Sequence, residues 1–202
     1  MSIDFIFSIL ILMFSVVVHE VAHGYSAYIL GDNTAKYQGR LTLNPLAHLE
    51  WFGSLILPTL SFILGGFIIG WAKPVPFNPY NLRNQRWGEA IVAMAGPLSN
   101  ICIAVLFGLL IRFSSVLGIS SPGFLFIASI ITYTNILLAV FNLVPIPPLD
   151  GSKILFSLIP RYMANVRTIF EMYGPAILIF FIFFLWQFIA PVVAFFFSLI
   201  VK

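Results

Sequence analysis

Charged residues are scarce in this chain of 202 residues, in which Asp, Glu, Lys and Arg make up 8% and hydrophobic residues 60%. A soluble domain normally carries about 25% charged residues, so a soluble fold would lack the polar residues to cover its core. This excludes a globular protein of the cytosol or a secreted one, and it excludes disorder. We expect an integral membrane protein with a single transmembrane domain over 1–202. The formal net charge of +3 then reports membrane topology, and we expect no nucleic-acid partner.

Cysteine is nearly absent as well. The single Cys102 lies in an apolar run, so an intramolecular disulfide is excluded. The N-terminal apolar stretch has neither a basic leader nor a small-residue cleavage site, and it runs into His19 and Glu20. We therefore expect it to be a retained span and not a cleavable signal.

Long apolar runs dominate the rest of the chain. About 20 helical residues cross the ~30 Å hydrocarbon core, and four stretches are this long: 4–30, 88–112, 122–144 and 172–201. A fifth, 52–71, is interrupted by Pro58 and Gly65-Gly66. The last stretch is too long for one untilted span, so we expect breaks at Gly174-Pro175 and Ala190-Pro191; whether it crosses once or bends back stays open. The predicted class is an all-α polytopic membrane protein with about four to six transmembrane helices.

Three ionisable residues fall together in the first apolar stretch, in the pattern His19-Glu20-Val21-Ala22-His23. On a helix, residues i and i+4 share a face, so His19 and His23 can present two imidazoles to one metal ion. Glu20 lies about 100° around the helix, within reach of a water molecule on that metal. Each ionisable group at membrane depth costs about 2.5–3.5 kcal/mol. A bound zinc ion would offset this cost, so we favour a metal site over a chance match.

A catalytic zinc site needs three protein ligands and an open fourth position. The chain has three histidines, of which the third is His48. The better candidate is Asp150, which follows three prolines within 145–148, where the third apolar stretch must unwind. Unwound backbone at membrane depth occurs only where it lines protein or a water-filled cavity. Asp150 could instead cap a helix over 152–160, but the missing third ligand favours the metal.

Longer motifs around these residues resemble one family. The motifs are His19-Glu20-Val21-Ala22-His23, Ala95-Gly96-Pro97-Leu98-Ser99-Asn100, and the stretch from Asn142 to Leu149-Asp150-Gly151. They resemble the site-2 protease family of intramembrane zinc metalloproteases. The stretches 44–48 and 70–79 resemble the small, compact bacterial-type members, which have no PDZ or CBS domain. Together the motifs span 19–151, about two thirds of the chain.

The resemblance implies a role for each matching residue. His19, His23 and Asp150 would bind one zinc ion per chain, and Glu20 would be the general base. Asn142 matches a family asparagine that holds substrate or polarises the scissile carbonyl. Zinc lowers the pKa of a bound water molecule to about 7, Glu20 passes the proton to the leaving amine, and a donor such as Asn142 stabilises the oxyanion.

For the other motif residues we expect structural roles outside the chemical step. His48 is either a gate near the site or an interfacial histidine at the membrane surface, and we favour the second. Small family members often have His-Ile-Asp-Pro here, whereas this chain has His48-Leu49-Glu50-Trp51. Gly96 predicts close helix packing. Asn100, one turn further, is expected to hydrogen-bond across to another helix or to the unwound segment.

Basic residues indicate the topology. Without the C-terminal Lys202, Lys and Arg divide three against six if 52–71 crosses completely, and Asp150 then lies on the opposite face from His19 and His23. If 52–71 enters and returns, the division is eight against one and Asp150 reaches the depth of the histidines. Because cytoplasmic loops carry the excess of Lys and Arg, we expect a re-entrant 52–71 in the cell membrane. The active site then lies toward the cytosolic leaflet, with the N-terminus outside.

Residues 72–79 follow the predicted re-entrant segment and admit two interpretations. In a strand, Pro74 and Pro76 would place their missing N–H groups on one edge, leaving the edge of Val75 free to clamp an unwound substrate. Alternatively the stretch is a proline-rich surface loop. The sequence favours neither.

The leading hypothesis is a zinc endopeptidase that cuts transmembrane segments of other proteins. Its expected partners are a transmembrane protein or peptide substrate and the lipid bilayer. The first alternative is a catalytically silent membrane module that binds a partner helix, against which the intact Glu20 argues. The second is a metal transporter, which would need polar residues along a whole path, whereas 88–140 offers almost none.

Overall fold

A computed structural model describes residues 3–50, 73–159, 164–184 and 186–202, with the isolated residues 56, 59, 60 and 63. Seven helices form within these parts: α1 (Ile3–Ile29), α2 (Thr34–Tyr37), α3 (Gly88–Arg112), α4 (Pro122–Asn142), α5 (Asp150–Leu158), α6 (Ala164–Phe184) and α7 (Trp186–Val201). Short 3-10 turns lie at Pro45–His48 and Pro79–Asn81. The described residues contain no β-strand. The predicted all-α class is confirmed.

Four helices are long and apolar enough to cross a membrane, over Ile6–Ile29, Gly88–Arg112, Pro122–Asn142 and Asn165–Phe184. The first three agree with the predicted stretches. The last helical stretch begins at Ala164 and not at 172. In its polar first turns, Arg167 forms ion pairs with Glu171, one turn along α6, and with Glu89 of α3.

Helix α3 lies at the centre of the bundle, against α1, α4, α5 and α7. Small buried residues recur every fourth position along one of its faces: Gly96, Asn100, Ala104 and Gly108. Such a face lets neighbouring helices approach closely. At Gly108, an added Cβ would collide with Ile200 of α7 and lie 3.3 Å from Thr132 of α4.

Both ends of the predicted re-entrant stretch lie at one end of the bundle. The N–H of Lys73 donates to the carbonyl of His48 at 2.8 Å, and that of Arg83 donates to the carbonyl of Leu30 at 2.8 Å. The chain therefore leaves α1 and enters α3 at the same end, as the re-entrant prediction requires. Most of 52–71 lies outside the described residues, so re-entry itself stays a prediction.

Helices α6 and α7 together cross the bundle once. Arg167 near the start of α6 pairs with Glu89 in the first turn of α3. Near the end of α7, the carbonyl of Leu199 accepts a hydrogen bond from Arg112 in the last turn of α3, at 3.4 Å. Helices α6 and α7 therefore run from one end of α3 to the other, and the stretch does not bend back.

The helix breaks predicted at Gly174-Pro175 and Ala190-Pro191 are wrong, because Pro175 lies inside α6 and Pro191 inside α7. A proline removes one helical donor, but transmembrane helices tolerate it where neighbouring groups satisfy the freed carbonyl. Gly174 serves packing instead, since an added Cβ there would lie 2.7 Å from the carbonyl oxygen of Pro147.

The arrangement predicts which loops share a side of the membrane. In a Cys102→Ala chain, cysteines at positions 36 and 83 should react with an impermeant thiol reagent from the same side of sealed vesicles. Both positions are exposed and lie where α1 ends and α3 begins. Ser115→Cys, just beyond α3, should react from the opposite side and serves as the control. Labelling of 36 and 83 from opposite sides would contradict the topology.

Candidate metal centre

His19 and His23 of α1 meet Asp150 of α5 inside the bundle. The Nε2 atom of His23 lies 3.0 Å from Nε2 of His19 and 3.0 Å from Oδ2 of Asp150. Nε2 of His19 lies 3.1 Å from the same carboxylate oxygen. All three side chains are buried. The structure thus brings together the three residues that the sequence predicts as ligands.

The second nitrogen of each imidazole is fixed by a neighbouring group on α3. Nδ1 of His19 lies 3.1 Å from Oδ1 of Asn100, and Nδ1 of His23 lies 2.7 Å from the carbonyl oxygen of Val92. Both oxygens can only accept, so each Nδ1 carries the proton and donates it. In neutral imidazoles this leaves a lone pair on each Nε2. Two lone pairs and a carboxylate oxygen then face one another, an arrangement that a cation stabilises.

The spacing of these atoms suits a small tetrahedral cation. Zinc–nitrogen bonds of about 2.0–2.1 Å place tetrahedral ligand atoms about 3.3 Å apart, and here the three atoms lie 3.0–3.1 Å apart. His19, His23 and Asp150 could therefore hold a metal ion.

The local fold around Asp150 overturns its interpretation as a helix cap. Helix α4 ends at Asn142, the chain is irregular over 143–149, and α5 begins at Asp150. The N-cap position belongs to Leu149, whose side chain makes no capping bond. The carboxylate of Asp150 instead contacts the histidines and, through Oδ1, the ammonium group of Lys153 at 3.4 Å.

Two glycines allow close contacts, Gly96 at the cluster and Gly151 beside it. An added Cβ at Gly96 would collide with Nε2 of His23 and lie 2.6 Å from the His19 ring, and one at Gly151 would collide with the carbonyl of Leu143. The sequence assigned Gly96 only to packing, because a single glycine does not reveal what lies opposite. The prediction that Asn100 bonds across to another helix is confirmed by its contact with His19 of α1.

The predicted catalytic residues border the same small space. Glu20 and Asn142 line a cavity of about 140 Å³ together with the three candidate ligands. Oε2 of Glu20 accepts a hydrogen bond from the N–H of Val75 at 2.8 Å. Nδ2 of Asn142 donates to the carbonyl of Leu138 within α4 at 2.9 Å. The remaining lining residues are Pro74, Val75, Phe77, Pro148 and Lys153.

Residues 73–78 form an irregular loop, so the strand interpretation of 72–79 is wrong for the described residues. A strand would need its N–H groups for a ladder, and two positions are prolines without one. Three of the other N–H groups are used elsewhere: Lys73 donates to the carbonyl of His48, Val75 to Glu20, and Asn78 to Asp32. The contact between Val75 and Glu20 could not be predicted from the sequence.

His48 takes no part in this lining. It ends the turn Pro45–His48, where its side chain is 1% exposed and Nε2 lies 2.8 Å from the carbonyl oxygen of Thr42. The described lining of the cavity does not include it.

The model of a known family, described as peptidase family M50, matches residues 7–121 and 114–185. The chain belongs to peptidase family M50. This confirms the resemblance to site-2 proteases, and with four helices able to cross a membrane the M50 chain is an integral membrane protein.

Curated relatives extend the likeness over most of the chain. "Putative zinc metalloprotease YwhC" of Bacillus subtilis (strain 168) is 39% identical over 188 residues, which cover 91% of this chain and 80% of the relative. "Putative zinc metalloprotease Rip2" of Mycolicibacterium smegmatis is 35% identical over 148 residues, 69% of this chain and 52% of the relative. "Putative zinc metalloprotease MJ0611" of Methanocaldococcus jannaschii is 34% identical over 108 residues, 52% of each. No solved structure matches.

The glycine at position 96 provides a test of the metal centre. Gly96→Ala should lower metal affinity by about 10–100-fold, the usual effect of disturbing groups that orient ligands, because the new methyl group would displace both imidazoles. The affinity is measured as the zinc content that remains after dialysis against increasing concentrations of a chelator. Gly123→Ala, with nothing within 4 Å of the added Cβ, is the control. Equal zinc retention in both variants would show that the histidines do not form the site.

Proposed function

We propose that this M50 protein is a zinc endopeptidase that hydrolyses peptide bonds in or near transmembrane segments of other membrane proteins. One observation carries the proposal. Two histidine nitrogens and a carboxylate oxygen lie within 3.1 Å of one another, beside a cavity that is also lined by a second carboxyl group, that of Glu20. This is the donor set of a catalytic zinc site together with a base.

His19, His23 and Asp150 would hold one zinc ion per chain. Zinc bound there would act as a Lewis acid that acidifies a water molecule and polarises the carbonyl group under attack. The chain's own contribution is to keep both imidazoles in one tautomer, through Asn100 and the carbonyl of Val92.

Glu20 is the proposed general base. It follows His19 directly in α1, is half-buried, and lines the cavity with one carboxylate oxygen bonded to the Val75 N–H. The other oxygen has no such bond to that loop, so it can accept the proton of the attacking water and deliver it to the leaving amine nitrogen.

Asn142 is the proposed oxyanion donor. One amide hydrogen is committed to the carbonyl of Leu138 within α4, but the amide group has two. The second can donate to the carbonyl oxygen of the scissile bond as negative charge develops there.

The distribution of basic residues favours a site on the cytosolic side of the cell membrane. Among the described residues, most of the basic side chains lie at the end of the bundle that holds the site: Lys36, Arg40, Lys73, Arg83, Arg86, Lys153 and Arg167. Arg112 and Lys202 lie at the other end, since α3 and α7 finish there. The excess of Lys and Arg marks the cytosolic face.

Separate losses of metal and of cleavage test the assignment of roles. His19→Ala, His23→Ala and Asp150→Ala should each lower zinc occupancy, whereas Glu20→Gln should keep zinc and abolish hydrolysis. Zinc content and cleavage of candidate single-span substrates by the purified protein in lipid vesicles are measured together. Glu171→Gln, an exposed acid of α6, is the control and should change neither. Full zinc occupancy in Asp150→Ala would show that Asp150 is not a ligand, and cleavage by Glu20→Gln would show that Glu20 is not the general base.

Asn142→Ala tests the oxyanion donor. Zinc content should stay normal, and the turnover rate should fall by about 10²–10³, the usual effect of losing one oxyanion donor. The same vesicle assay gives the rate. An unchanged rate would leave Asn142 with only its bond to Leu138.

A further inference from the structure

Asp32, three residues beyond α1, is a completely buried carboxylate with 0% exposure. Its Oδ1 accepts hydrogen bonds from the N–H of Thr34 at 3.2 Å, from the hydroxyl of Thr34 at 2.6 Å, and from Nδ2 of Asn81 at 2.8 Å. Its Oδ2 accepts one from the N–H of Asn78 at 2.8 Å. Burial raises the pKa of Asp32, but these bonds outweigh burial and hold the pKa below its usual value. The group is therefore charged at neutral pH, and both of its oxygens accept hydrogen bonds.

These bonds anchor the loop 73–78, which lies beside the metal centre. Asp32 binds the last residue of the loop, Asn78, and the carbonyl of His48 binds the first, Lys73. Between them, Val75 is 5% exposed and packs onto α1, where an added Cβ on Gly24 would lie 2.8 Å from its side chain.

The register of this loop matters because of its prolines. Pro74 and Pro76 have no N–H, so Val75 carries the one backbone donor among residues 74–76. That donor lies 2.8 Å from Oε2 of Glu20. If the loop slipped by one residue, a proline would face the carboxylate and the hydrogen bond would be lost.

We propose that Asp32 is a positioning residue of the active site, which fixes the loop 73–78 so that the Val75 N–H orients the carboxylate of Glu20. This rests on the proposed role of Glu20 as general base. Asp32 is not one of the described residues that line the cavity. It acts through the backbone of residues 76–78, between its contact with Asn78 and the N–H of Val75. Asn81, beyond the loop, holds Asp32 in place from the other side.

Asp32→Asn tests the proposal in the full-length, zinc-loaded protein in lipid vesicles. Asparagine keeps the shape but replaces one acceptor oxygen by an amide group that would face a donor. We expect kcat to fall by about 10–100-fold, as for other groups that orient catalytic residues, with KM and zinc content unchanged. Asn33→Ala, whose side chain makes no capping bond, is the control and should keep the full rate.

A second measurement separates positioning from a merely structural role. In a Cys102→Ala chain, Val75→Cys should react slowly with a thiol reagent, because the side chain is buried, and at least tenfold faster when Asp32→Asn is added. This readout does not depend on catalysis. An unchanged reactivity at position 75, or an unchanged kcat in Asp32→Asn, would overturn the proposal.

Two further variants test the same contacts in case Asp32→Asn does not fold. If Asp32→Asn does not fold, Asn81→Ala removes one donor to the same carboxylate and should give smaller changes in the same directions. Val75→Pro removes the donor to Glu20 itself and should lower kcat without loss of zinc; an unchanged kcat would refute the link to Glu20. If Glu20→Gln still cleaves substrate, the general-base role is what fails, while the reactivity at position 75 still reports on the anchor.

Discussion

The rest of the structure depends on one constraint, which is that three hydrogen-bond acceptor atoms lie in contact in the interior of the bundle. His19, His23 and Asp150 present two ring nitrogens and a carboxylate oxygen to one point, with no proton among them when both imidazoles are neutral. Lys153 contacts only Oδ1 of Asp150, and a buried carboxylate whose charge is incompletely compensated costs several kcal/mol. A bound cation would remove that cost. The surrounding helices keep the two ring nitrogens and the carboxylate oxygen at the spacing that such a cation needs.

One face of α3 makes this cluster possible. Val92, Gly96 and Asn100 follow each other at intervals of one helical turn. The outer two supply the acceptors that fix the histidine tautomers, while Gly96 between them leaves space for both rings. A larger residue at 96 would separate α3 from α1 and remove both acceptors together. The small face of α3 is therefore a requirement of the chemistry as well as of helix packing.

What the sequence could predict was local in nature. The pair His19 and His23 follows from helical periodicity, and the unwinding before Asp150 follows from three prolines, so both were found without a structure. The sequence did not predict that the helix continues through Pro175. Whether a proline interrupts a helix depends on which neighbouring groups satisfy the freed carbonyl. The loop 73–78 was ambiguous for a similar reason. Its donors bind Glu20, Asp32 and His48, which are remote in sequence.

Under the proposed function, the size of the cavity limits the form in which a substrate could be cut. A space of about 140 Å³ holds a few water molecules, whereas a helix with its side chains is about 10–12 Å wide. Widening one wall would move residues 143–149, which lead directly into Asp150, and would separate the ligands. The opposite wall, 73–78, is held at both ends and in the middle by hydrogen bonds. The cavity therefore has no room for a helix while both walls stay in place, and under the proposed function a transmembrane substrate would have to unwind before its peptide bond reached Glu20.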